Sequence, residues 1–118
     1  MKVSSSFLLS LFLAVAVARA EWTPPAKPDP SKILQEAARD VTAQRYEEAL
    51  EKHVWYHENA LKIEPAQYGV RLSFALSAWH RLGLVYPPAL EKLTSIRDEN
   101  ERTLREAHGT DEKSCRLP

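Results

Sequence analysis

Tyr46-Glu47-Glu48-Ala49-Leu50-Glu51-Lys52 returns forty residues further on as Tyr86-Pro87-Pro88-Ala89-Leu90-Glu91-Lys92, with five of the seven residues kept. At the same offset Ala38 answers to Ala78 and Leu34 to Phe74. Self-similarity at a fixed period is the mark of a chain built from repeated supersecondary units. Both copies read as the start of a helix. The first opens with acidic residues, and the second carries its prolines in the first turn, where a missing N–H has no intrahelical partner to lose.

On either side of the two copies, apolar residues recur at helical spacing. Ile33, Leu34, Ala37, Ala38 and Val41 predict a first helix over residues 31–44, with Ser31 as its N-cap. Tyr46, Ala49, Leu50, Val54, Ala60 and Leu61 predict a second over 46–63, ended by Pro65. A third is expected over 67–83, where Leu72, Phe74, Ala75, Leu76, Ala78, Trp79 and Leu82 cover more than one stripe. That breadth suits a helix contacted on two sides, and Gly83 reads as its C-terminal cap. The fourth starts at Pro87 and runs to Ala107 before Gly109. Pairs such as Glu48–Lys52, Asp98–Arg102 and Glu101–Arg105 lie four apart, acid before base, and read as solvated helix faces. The expected fold class is therefore all-α, four antiparallel helices as two stacked helix-turn-helix hairpins over residues 31–108, with 109–118 a polar tail.

Tyr46 and Ala49 followed by Ala60-Leu61 and Pro65, and Trp79-x2-Leu82-Gly83-x2-Tyr86, resemble the tetratricopeptide repeat family. The family repeat is about 34 residues, and here Ala60-Leu61 and Pro65 fall about one turn later, as though a turn were inserted. The Trp79 register would place Tyr86 inside the first helix of a unit. Pro87-Pro88 favours the other register, with a helix beginning just after Tyr86. The resemblance implies stacked hairpins that bind a protein or peptide.

The 118 residues suffice for one small domain. Lys2, an apolar run from Phe7 to Ala18 broken only by Ser10, and Ala18-Arg19-Ala20 form the three parts of a signal peptide with cleavage after Ala20. The run is shorter than the ~20 residues that span a bilayer. The mature chain is expected to be periplasmic or secreted and free of the membrane. Pro24, Pro25, Pro28 and Pro30 mark residues 21–30 as a linker. Sixteen basic residues balance sixteen acidic ones, which disfavours a nucleic-acid partner. Without Lys2 and Arg19 the mature chain has 14 basic against 16 acidic residues, a net charge of −2. A single cysteine, Cys115, cannot close an internal disulfide and is either an idle thiol or an intermolecular crosslink.

His53 and His57 share a helix face at the i,i+4 spacing of a metal site, with His80 as a further ligand if the hairpins pack that way. That pair carries the alternative reading, a small metal- or cofactor-binding protein. The plainer reading makes them hydrogen-bonded residues at the core edge. Serine-nucleophile and phosphate-loop motifs are missing from the sequence. The sequence thus points to a non-enzymatic interaction module without a cofactor. Trp55, Tyr56, Tyr68, Trp79 and Tyr86 are its candidate partner-binding aromatics, for a foreign protein or peptide or for self-association.

Overall fold

The computed structural model describes residues 21–114 and is all-α. The signal-peptide reading and Cys115 lie outside the described residues.

α1 spans Pro30–Thr42. It begins one residue before the expected start because Pro30 occupies the first helical position. Asp29, not Ser31, is the cap, its carboxylate accepting from the Lys32 amide at 3.2 Å. Three residues then turn the chain. Gln44 adopts φ 61°, while its amide donates to the Val41 carbonyl at 3.0 Å and the Arg45 amide to Asp40 at 2.8 Å. This is the Schellman pattern that a left-handed residue makes at a helix end.

α2 spans Tyr46–Ile63, as the periodicity predicts. Glu47 and Glu48 sit in its first turn and Lys62 in its last, each favourable to the helix dipole. Its buried stripe is Ala49, Lys52, His53, Tyr56 and Ala60. Lys52 is therefore not a solvated partner of Glu48. Its ammonium is ion-paired with the buried carboxylate of Asp40 on α1, and Arg45 closes over the same carboxylate through Nε and Nη2 at 3.0 and 2.8 Å. This ionic knot ties the first hairpin together beside its turn.

The third rod is composite. A 3-10 turn, Pro65–Gln67, leads into α3, Tyr68–Val70, then a π turn, Arg71–Ala75, then α4, Leu76–Val85. Along an unbroken α-helix Gln67 and Ala75 would lie roughly 80° apart, at about 100° per residue. The π turn absorbs one residue and returns both to the buried side, with Trp79 and Leu82. Gln67 is there a junction between rods. Its oxygen accepts from the Tyr56 hydroxyl at 2.7 Å, and its amide nitrogen donates to Ser31 Oγ at 2.9 Å and to Glu64 at 3.0 Å.

α5 spans Pro87–Ser114, running through Gly109, so that glycine does not end the helix and residues 109–114 are not a tail. Gly83 is likewise not a cap. It lies buried inside α4, and a Cβ built there would stand 2.8 Å from Leu90 Cβ and 3.1 Å from the Leu90 backbone nitrogen. The glycine is needed for close approach of α4 and α5 rather than for a turn.

α1 pairs with α2, α5 pairs with α4, and α4 also packs on α2, so the third rod is central. The main core joins Ala49, Trp79, Leu82 and Ala89. Ala49 and Ala89 are the matching alanines of the repeated heptad, and both are fully buried. Tyr46 and Tyr86, the heptads' opening residues, stack on each other at 5.9 Å.

Candidate binding surfaces

The two hairpins leave a groove of about 640 Å³ between α1 and the third rod. Leu34, Ala38 and Val41 form one wall, and Val70, Phe74 and Val85 the other. Phe74 is 74% exposed and Val85 57%, large apolar side chains left facing water at the rim. Arg81 is the charged side chain among the described lining residues.

His53 lies at the groove floor. It is 3% exposed, its ring stacks on Trp79 at 5.9 Å and 25°, and no described residue hydrogen-bonds to it. Burial lowers its pKa from 6.5 to about 4, because an imidazolium there would lose its hydration without gaining a counter-charge. His53 is thus neutral at pH 7. Its ring offers both a donor and an acceptor at the bottom of an otherwise apolar slot.

His57, one turn on, meets the same indole edge-on at 5.9 Å. Its Nε2 lies 3.0 Å from Arg71 Nη2, and Arg71 Nε donates to the His57 carbonyl at 2.9 Å. Guanidinium can only donate, so Nε2 accepts and the proton sits on Nδ1. Burial first, then the Arg71 charge, lowers the His57 pKa, with Glu58 opposing. The i,i+4 pair therefore straddles Trp79, and His53 opens on the α1 groove while His57 and His80 open on the opposite face, between α4 and α5. A metal would have to displace both the indole and Arg71 to reach the pair. Among the described residues no three His, Cys, Asp or Glu side chains are placed to hold a metal ion.

Of the aromatic partner-binding candidates, Tyr56 and Trp79 are corrected to core residues, each 1% exposed. The Trp79 indole N–H donates to the Ala89 carbonyl at 2.9 Å, which ties α4 to α5. Trp55 is covered from within the chain. Trp22 meets it edge-on at 6.2 Å, the Trp22 amide donates to Glu51 at 2.9 Å, and the Lys52 ammonium lies 5.7 Å from the Trp22 ring centre. The 21–30 segment is thus a docked strap at its tryptophan. Tyr86 is engaged with Tyr46, and Tyr68 alone of the five stays largely exposed, at 61%. Phe74, Arg81 and the small groove residue Ala38 were not singled out as binding residues by sequence reasoning. The pairs matched at the offset of forty, Leu34 with Phe74 and Ala38 with Ala78, all line this groove.

Comparison of the chain with protein-family models, with curated proteins and with solved structures gives no match.

Proposed function

We propose that the chain is an exported, non-enzymatic protein- or peptide-binding module of tetratricopeptide type, and that its ligand is a short extended segment, apolar and free of basic side chains, lying in the groove between α1 and the third rod. The groove carries this reading. It combines an apolar slot between two helical layers, rim residues Phe74 and Val85 exposed to water, and an imidazole at its floor with no hydrogen-bond partner among the described residues. A ligand amide or carbonyl could bond to that ring, and polar groups placed singly in an apolar slot are what give such sites orientation and specificity. Arg81, with no carboxylate among the described lining residues, disfavours a basic ligand and suits an acidic or neutral one. Export rests on the reading of residues 1–20.

The test uses the full chain produced in an exporting host, with a first residue of Glu21 as the check on export. A displayed library of random peptides is panned on the protein, and affinities of the selected sequences are measured by anisotropy. Selected peptides should bind at micromolar Kd, and Ala38→Glu, at an exposed groove position, should weaken them at least tenfold. Selection of basic peptides, or binding indifferent to Ala38→Glu and Phe74→Ala, refutes the assignment.

A further inference from the structure

The second open surface lies on the far side of the third rod, between α4 and α5, and its volume is about 1070 Å³. Leu72, Leu90 and Leu104 line it at 48%, 38% and 61% exposure, with Leu76, Leu93 and Ile96 beneath. Arg71, Arg81 and Arg97 stand around this apolar strip with His80. Glu101 is the acid among the described lining residues and is held by Arg105; of the cations, Arg97 is paired with the exposed carboxylate of Asp98 at 2.9 Å and Arg71 is bonded to His57.

The internal repeat says what kind of element such a face accepts. At the offset of forty, Ala49, His53 and His57 of α2 correspond to Ala89, Leu93 and Arg97 of α5. The α2 stripe is covered by a helix, since α4 lies on it and sets Trp79 against His53 and His57. On α5 the cover stops after the first of these positions: Ala89 lies beneath α4 and Trp79, while Leu93 and Arg97, one and two turns further on, line the open face.

We propose that the α4/α5 face is a docking site for one acidic amphipathic helix of a protein partner, anchored by a large aromatic between Leu93 and Arg97. The anchor would take the place on α5 that Trp79 takes on α2, with the Arg97 guanidinium over its ring. Acidic residues flanking the apolar stripe of the incoming helix would meet Arg71, Arg81 and Arg97. A second copy of the chain is the poorer occupant, because a two-fold pairing of this face brings two cationic surfaces together. The site shares Arg81 with the α1 groove, and its apolar strip of Leu72, Leu90, Leu93 and Leu104 lies on the other side of the third rod.

The probe is a synthetic eighteen-residue helical peptide with one tryptophan and three leucines on a single stripe and glutamates on the rest. Its twin carries lysines in place of the glutamates. Both are titrated with the full chain by fluorescence anisotropy. The glutamate peptide should bind at least tenfold more tightly than its twin, and the gap should narrow at high salt. Arg97→Glu, at an exposed position, should weaken the glutamate peptide and strengthen the lysine twin, a crossing that a misfolded variant would not give. Equal binding of the twins, no binding of either, or an unchanged ratio in Arg97→Glu overturns the proposal. So does a dimer in sedimentation that Leu104→Glu converts to a monomer, since the face would then be occupied by a second copy.

Discussion

Acid should unfold this domain through His53 before its carboxylates are exhausted. The imidazole has a pKa of about 4 in the folded chain against 6.5 when solvated, so the folded state binds fewer protons than the unfolded state between those values. Its contribution to stability is fully present above pH 6.5 and is lost as the pH falls toward 4. The loss relative to pH 7.5 is about 1 kcal/mol at pH 5.5 and about 2–3 kcal/mol at pH 4.5. His57, whose pKa is lowered in the same direction by burial and by Arg71, adds to the loss. For a domain whose total stability is ~5–15 kcal/mol, this is a large fraction. The control is His53→Phe, which keeps a flat ring against Trp79 and removes the titration. Urea unfolding of both proteins at pH 7.5, 5.5 and 4.5, followed by helical circular dichroism, should show the wild type falling faster than the variant by about those amounts. Carboxylate titration is common to both and cancels in the difference. Parallel acid limbs in the two proteins, or an NMR titration of the His53 ring near 6.5, would refute the assignment of a buried neutral imidazole.

Two further changes bear on the packing. Gly83→Ala places a methyl against Leu90 and its backbone, so the domain should lose about 1–3 kcal/mol from overpacking, despite the ~1 kcal/mol by which alanine favours a helix; thermal unfolding would show a lower Tm, and a higher one would refute the close contact. Asp40→Ala strands the Lys52 ammonium inside the first hairpin and should cost about 3–5 kcal/mol, whereas Asp40→Leu with Lys52→Met should recover most of it. Denaturant midpoints of the three proteins decide this, and a double variant no better than Asp40→Ala would mean that the ion pair is not replaceable by packing.

Lys52 shows where one-dimensional reading stops. Its spacing from Glu48 suggests a solvated pair, yet the side chain points inward to Asp40, twelve residues away. Helical spacing identifies which residues share a face but not which carboxylate a neighbouring helix brings to it. Gly83 and Gly109 fail for a related reason. Glycine is enriched after helix ends, but it is also the residue that permits two helices to touch, and only the position of Leu90 distinguishes the two uses. The histidine pair was legible as a pair. Trp79 between the rings and Arg71 on Nε2 were not, because the π turn that aligns the third rod leaves no mark in hydrophobic periodicity. Phe74, by contrast, reads as core in the apolar run of that rod and is found at a groove rim, since a broad stripe offers more apolar surface than its two neighbouring helices cover.

The all-α class, the bounds of α2 and the start of the last helix at Pro87 follow from local rules acting along the chain. Prolines, capping groups and apolar spacing operate within a few residues and so are written in sequence order. The burial of Asp40 with Lys52, the sandwich of His53, Trp79 and His57, and the two open grooves were decided only when the hairpins packed. Each depends on which side of one helix meets another, and that choice is set by the summed burial of residues far apart in the chain.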